Sequence, residues 1–272
     1  MISVNLDFGW EGRELAQADD ARRLSEFVSG LPNFDSIYAS WLKAPKANSD
    51  VFPVPLSEEE AKAFLRENIN RSDSDGSPLE WMGSFFSAIG HAGLPPYDFR
   101  ESSYARTNCM VGGFDLPNSL APKNGIRNSI QMELSRLRPS TGRPWRASEL
   151  RPLMKFARDI WNVREMEAYF AYYASDFPKI VVGTTSVKIG GMAHGTYQKR
   201  ELTRQLSPRI GWITYLPPDL AARAKYPADV EVEALPDGAA LVTLCEEPFD
   251  QTDTQGLARL HALEAALRPI QS

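Results

Sequence analysis

Three histidines and two cysteines are all that this 272-residue sequence offers as soft metal ligands, thiol nucleophiles and bases that titrate near neutrality. Cys109 and Cys245 lie far apart and form no C-x-x-C, so the spacing used for zinc or dithiol chemistry is missing. They read as reduced, part-buried thiols of a cytoplasmic protein, with a single disulfide as the other option. His91, His194 and His261 are isolated from one another, and no H-E-x-x-H is present. His261 falls in a closing amphipathic segment and reads as a surface or core-edge residue. His194, after Gly190-Gly191-Met192-Ala193, is the one histidine worth testing for chemistry. The glycine-rich phosphate loops and the G-x-S-x-G nucleophile turn are also missing. No cofactor and no catalytic constellation is therefore expected.

Long apolar runs are absent too. No stretch of about 18 apolar residues exists to span a bilayer. The first twenty residues lack the basic and then apolar order of a secretory signal. The formal net charge is −5. That disfavours nucleic acid or an anionic membrane as the main partner and favours a basic one.

What is present is core. Hydrophobic residues make up 43% and charged residues 24%, an ordinary globular balance. Residues 2–8 alternate Ile2, Val4, Leu6 and Phe8, the pattern of a strand. A helical stripe follows in Leu15, Ala18, Ala21, Leu24, Phe27 and Val28, stopped by Gly30 and Pro32. Residues 35–42 are expected to form a second strand, and residues 44–55 a proline-bearing loop. Ser57 with Glu60 forms a capping box ahead of a helix. Strands are expected over 81–90, 104–114 and 125–135. Residues 137–147, with Pro139, Gly142 and Pro144 among Arg138, Arg143 and Arg146, look like a boundary between two halves. Ser148 is the expected N-cap of the next helix, with Arg151-Pro152 in its first turn. Residues 166–174 read as a strand, 179–189 as a strand or hairpin, and 192–207 as ambiguous.

Residues 209–220, "RIGWITYLPPDL", carry the best-packed strand pattern in the chain. Ile210, Trp212, Thr214 and Leu216 would share one face, and Gly211, Ile213 and Tyr215 the other. Both faces are largely apolar, so this strand should be buried on both sides. Pro236-Asp237-Gly238 between two alternating runs predicts a hairpin. An amphipathic helix with Leu257, Leu260, Leu263, Ala266 and Leu267 on one side closes the chain. The fold expected is α+β: mostly antiparallel sheet flanked by helices. Helix-then-aromatic-strand patterns recur in the two halves, 1–136 and 137–272, either as two related α+β units or as one continuous domain.

The acidic residues cluster in three places: Glu58, Glu59 and Glu60; Asp73 and Asp75; and Glu246, Glu247, Asp250 and Asp253. Glu60 and Lys62 have the acidic-x-lysine spacing of metal-dependent nucleases, but a capped helix start explains them more simply. Asp73 to Gly76 fails as a calcium loop, because Arg71 and Met82 would stand where oxygen ligands are needed. The last cluster could hold a cation, or end a strand and cap the closing helix. All nine acids are candidate contacts for a basic partner.

Several segments resemble the immunity protein 52 family of bacterial polymorphic-toxin systems. In the first, Phe8, Trp10, Gly12, Arg13, Ala21 and Arg23 match an aromatic-Trp-Gly-Arg cluster and a following Ala-x-Arg helix. The aromatic run 34–43 and the segments 211–220, 235–250 and 258–267 match further along. Residues 92–124 look like a loop-rich insertion. The resemblance implies a cytoplasmic α+β protein that binds and neutralises a cognate type VI secretion nuclease toxin, a restriction-endonuclease-like DNase, without itself touching nucleic acid or membrane. Two alternatives stay open. One is a metal-dependent hydrolase using Glu246, Glu247, Asp250 and His194. The other is a structural adaptor of a secretion system. The family motifs are apolar or aromatic, so they determine the fold and do not mark the partner surface; the oligomeric state is equally open.

Overall fold

The computed structural model describes residues 2–10, 17–39, 41–44, 51–52, 54–91, 104–112, 128–135, 137–174, 177–182, 188–190, 210–249 and 253–270. β1 (Ile2–Trp10) keeps its predicted alternation, with Val4, Leu6, Phe8 and Trp10 buried. α1 (Gln17–Gly30) follows and buries Ala21, Leu24, Phe27 and Val28 of the predicted stripe, whereas Ala18, in the first turn, is exposed and Leu15 lies outside the described residues. Residues 35–42 do not form the single strand expected. A 3-10 turn over Ser36–Ala39 comes first, and β2 (Trp41–Ala44) only after it. The cause is local. The Ile37 backbone N–H donates to Asp35 Oδ1 at 3.0 Å, and the Trp41 indole donates to the Tyr38 carbonyl at 2.8 Å. Both bonds bend the chain in preference to a ladder. Within the predicted loop 44–55 lies a short β3 (Val51–Phe52), paired with β2.

α2 (Glu58–Glu67) starts on the predicted capping box. Ser57 N–H donates to Glu60 Oε2 at 2.9 Å, and Glu60 N–H donates to Ser57 Oγ at 3.3 Å. β4 (Ser84–His91), β5 (Tyr104–Val111) and β6 (Asn128–Leu134) come next. β5 lies inside the segment read as a loop-rich insertion, and it pairs along its length with β4. The other residues of that segment lie outside those described. α3 (Ala147–Trp161) is capped by Arg146, not by Ser148, so Pro152 falls beyond the first turn. Glu149 decides the earlier start: it stands third in the helix and accepts the Arg146 backbone N–H at 2.9 Å.

β7 (Glu165–Ala174), β8 (Phe177–Val182) and β9 (Lys188–Gly190) form consecutive antiparallel pairs, so the 179–189 run is a hairpin. Residues 192–207 lie outside the described residues. β10 covers only Ile213–Leu216 of the strand expected from Ile210, because Gly211 and Trp212 form a bend in which the Gly211 N–H donates to Thr214 Oγ1 at 3.0 Å; the short α4 (Pro218–Ala221) follows. β11 (Glu231–Ala234) and β12 (Ala240–Thr243) form the predicted Pro-Asp-Gly hairpin. Gly238 supplies its turn with φ +86°, a conformation other residues adopt at a cost. α5 (Thr254–Leu267) ends the fold, N-capped by Asp253, which accepts the backbone N–H groups of Gln255 and Gly256 at 3.0 and 2.9 Å.

The twelve strands make one sheet in the order β11-β12-β10-β7-β1-β6-β5-β4-β2-β3, with β8 and β9 beside β7. Every strand pair is antiparallel, so the fold is α+β as expected. β1 pairs with β6 on one side and β7 on the other, so the strands of the two chain halves meet along it. Over β1, an aromatic seam joins α1 to α3. Trp10 stacks on Trp161 at 4.9 Å, and Phe156 packs against Phe27 at 5.9 Å and Phe34 at 5.1 Å. Each such pair adds about 0.5–1.5 kcal/mol beyond its buried area.

Register shows what each face carries. Leu6 stands opposite Met132 and Ala168, and Ala168 opposite Ile213, so these residues share the helix-bearing face with Trp10. On the second face, Asp7 stands opposite Gln131 and Glu167, and Glu167 opposite Thr214, which in turn faces Val242. Glu167, Thr214 and Val242 are buried, whereas Asp7 is partly exposed and Gln131 exposed. Among the described side chains, the second face is therefore covered over β7, β10 and β12 and reaches solvent at Asp7 of β1, at Ser129, Gln131 and Glu133 of β6 and at Phe85 of β4.

Candidate functional site

The three acidic clusters belong to three different elements, and most of their carboxylates already have local work. Glu58, Glu59 and Glu60 are exposed in the first turn of α2, where negative charge complements the helix dipole. Hydrogen bonds from the Ser57 hydroxyl and backbone hold the Glu60 carboxyl below its usual range. This is the capping role, and Lys62 adds no metal chemistry to it. Asp73 and Asp75 are exposed in a loop that folds back on itself. Asn70 N–H donates to the Gly83 carbonyl at 2.9 Å, and Arg71 Nη1 donates to the Gly76 carbonyl at 3.0 Å. Asp75 accepts the Ser77 hydroxyl at 2.8 Å and the Ser77 backbone N–H at 3.1 Å, which lowers its carboxyl.

The third cluster holds the start of α3 from the far end of the chain. Glu246 accepts both the Ser148 hydroxyl and, at 3.2 Å, the Ser148 backbone N–H. The Glu246 carbonyl accepts the Ala147 N–H at 2.9 Å, and Glu247 pairs with Arg146 at 3.3 Å. A helix start leaves several N–H groups without intrahelical partners, and here a remote loop satisfies two of them. Asp253 caps α5, and Asp250 lies outside the described residues. Of the set proposed for a hydrolase, Glu246 and Glu247 are thus engaged in the α3 start, and His194 and Asp250 lie outside the described residues. Among the described residues, no group of three or more His, Cys, Asp or Glu side chains is placed to hold a metal ion. His261 is exposed on α5, as expected, and the side chain of His91 lies outside the description. Both cysteines are free. Burial pushes the Cys109 thiol far up and the Cys245 thiol up to about 11, so neither is a ready thiolate near neutral pH.

Two charged arrangements escaped the sequence. The first makes the supposed boundary, 137–147, a clamp. Arg138 donates to Asp35 at 2.9 Å, to Glu149 at 2.5 Å and to the Phe34 carbonyl at 2.6 Å, while Arg143 reaches Glu149 at 2.7 Å. Burial alone would raise the Asp35 carboxyl. Hydrogen bonds from the Ser140 hydroxyl, the Ile37 N–H and Arg138 outweigh it and hold the group below its usual range. The second is a ladder between α3 and the β11 hairpin: Arg151 to Glu231, Lys155 to Glu233 at 2.5 Å, and Arg158 to Asp237. Its signal was legible in principle, since cations at helical spacing meet acids at strand spacing in "VEVEAL".

The exposed surface has one conspicuous break in its pattern. Phe86 is buried and packs edge-on against Phe64 of α2 at 4.7 Å, whereas its neighbour Phe85 is 52% exposed. Phe85 is the most exposed of the large hydrophobic residues described.

No family model matches this chain, and no curated protein matches it by sequence. Among solved structures, the Pseudomonas aeruginosa T6SS protein PA0821 matches over 100% of this chain and 73% of its own, at a TM-score of 0.52 and 8% identity. At that identity the likeness is one of fold, and it extends over the whole α+β sheet described above.

Proposed function

We propose that the chain is an immunity protein that binds and neutralises a nuclease toxin of a type VI secretion system. The observation that carries this is the whole-chain fold likeness to a T6SS protein. The sequence motifs add to it: they resemble the immunity protein 52 family, and within it TsiT, the immunity partner of the type VI nuclease effector TseT. The chemistry of the described residues is compatible with such a role. An inhibitor needs a rigid, complementary surface, because ordering a floppy one costs affinity. A continuous sheet clamped by the Arg138 network provides rigidity. The net charge of −5 suits a toxin whose DNA-binding cleft is basic. The exposed members of the candidate set, Glu58, Glu59, Asp73 and Asp75 first among them, would steer encounter. Protection of a cell from its own toxin calls for nanomolar binding or tighter, about −12 kcal/mol. An interface of roughly 1,600 Å² can supply that.

The test is direct. The chain is co-expressed with a nuclease toxin of a type VI secretion system, the pair is passed through gel filtration, and plasmid cleavage is assayed across a titration of the chain. The expected result is one co-eluting complex and loss of cleavage near one equivalent. A nuclease that stays fully active in tenfold excess of folded chain rejects the proposal.

A further inference from the structure

We infer that the end of the sheet at the start of β4, anchored on the exposed Phe85 and edged by the acidic segment 73–80, is the surface on which the partner docks. The occupant is a basic protein surface that offers a pocket for an aromatic side chain. This inference deepens the function proposed above and rests on it for the partner being the toxin.

The register builds the surface. Phe85 stands opposite Met110, Met110 opposite Ser129, and Ser129 opposite Gly9. Gly9 belongs to the face of β1 that turns away from the helices. By register, Phe85, Ser129 and Gly9 thus lie on one face of the sheet, with Phe85 exposed and Ser129 partly so. Ser129, Gln131 and Glu133 of β6 alternate with the buried Ile130 and Met132 and are partly or fully exposed. An antiparallel sheet with one face in water places polar residues on that face. Phe85 occupies such a position and is half exposed between the buried Ser84, Phe86 and Ala88, so it keeps the alternation but places an aromatic ring where a polar side chain is expected. An aromatic side chain held on rigid strand backbone and left in water is what protein interfaces use as an anchor.

Charge selects the occupant. The loop preceding β4 is bonded to this end of the sheet: Phe85 N–H donates to the Asn68 carbonyl at 3.1 Å, and Ile69 bridges to Ser84. Residues 73–80 of that loop carry Asp73, Asp75 and Glu80, all exposed, and no cation. Arg71, the nearest basic residue in the loop, is turned onto the Gly76 carbonyl. An apolar anchor with an acidic rim fits a basic surface. A second copy of this acidic chain would bring like charges together.

The test uses the full chain and that nuclease toxin, with binding kinetics read at low and high salt. Phe85→Arg should weaken binding at least a hundredfold. Phe85→Ser should weaken it at least tenfold while keeping a cooperative melting transition. Asp73→Asn with Asp75→Asn and Glu80→Gln should slow association about tenfold at low salt and little at high salt. Val232→Ser, an exposed apolar residue on the edge strand β11, should bind like wild type. If both Phe85 variants fold and bind with wild-type affinity, the surface is wrong while the immunity function stands. A wild-type chain that fails to bind the toxin overturns both. Concentration-dependent self-association that Phe85→Arg abolishes would assign the face to a second copy and overturn the occupant named here.

Discussion

The two halves of the sheet solve the same packing problem differently. Over β7, β10 and β12, both faces are covered: Ile213–Leu216 and Ala240–Thr243 have no exposed position, and Met166 through Tyr169 are buried in a row. Over β1 and β6, one face carries helices and the other reaches water, at Asp7 and at Ser129, Gln131 and Glu133, so β6 alternates buried and accessible residues. A strand buried on both faces reads as a continuous apolar run, and one buried on a single face reads as an alternation. The difference separates stability from recognition. The doubly covered half is core at every described position of β10 and β12, and the other half presents exposed side chains, Phe85 and Gln131 among them.

The largest effects should fall in the doubly covered half. Trp212 is 1% exposed, and its indole donates to the Cys245 carbonyl at 2.7 Å. Trp212→Ala should cost about 3–5 kcal/mol, measured by denaturant unfolding. Gly211 beside it has no room for a side chain, since a Cβ there would lie 2.3 Å from the Ala168 carbonyl oxygen. Gly211→Ala must push β10 off β7 and should destabilise by about 2–3 kcal/mol, at the upper end for a point substitution. Wild-type stability in either variant would break the claim that this half is packed to its limit on both faces.

The clamp between the halves should come next. Asp35→Asn removes the charge that Arg138 and Ser140 address and should cost about 1.5–3 kcal/mol at pH 7. The sign with pH follows from the lowered Asp35 and Glu149 carboxyls. A depressed native value stabilises the fold above the unfolded value near 4, and that stabilisation is lost as pH falls through the native value. The gap between wild type and Asp35→Asn should therefore close below about pH 4. A gap that is constant from pH 7 to pH 3 would show that the Asp35 charge is not what holds 137–147 to the fold. Smaller again, Glu246→Ala should cost about 1 kcal/mol through the α3 start it caps.

Much of this contrast was legible in the sequence, and the reason is periodicity. Residues 209–220 announced burial on both faces, residues 2–8 announced alternation, and Ser57 with Glu60 and Pro236-Asp237-Gly238 set their cap and turn within a residue or two. The misreadings share a different cause. Asp35 bends residues 36–39 through a bond to its own neighbour, and Glu149 moves the α3 start from Ser148 back to Arg146. In both, a side chain competes with the backbone for hydrogen bonds, which residue spacing does not record. Glu246 and Glu247 looked like a free acidic patch because their partners, Ser148 and Arg146, lie about a hundred residues away. The candidate surface at Phe85 was illegible for a related reason. "SFFSAIG" identifies a strand, but which of two adjacent phenylalanines faces water is decided by the strands and helix packed around them.

An equally small expected effect on stability gives the sharpest test of the comparison. Phe85 and Phe86 are chemically identical and adjacent in one strand, so unfolded-state terms nearly cancel between them. Phe86→Ala should cost about 3–5 kcal/mol, because its ring packs on Phe64 between α2 and the sheet. Phe85→Ser should cost about 1 kcal/mol, because half of its surface is already in water and only the covered half loses its apolar contact. Thermal or urea unfolding of the two variants, side by side, measures how completely the second face is open at β4. If Phe85→Ser loses as much as Phe86→Ala, this half of the sheet is covered on both sides as well. The distinction between a closed half and an open one would then disappear, and with it the case for docking at Phe85.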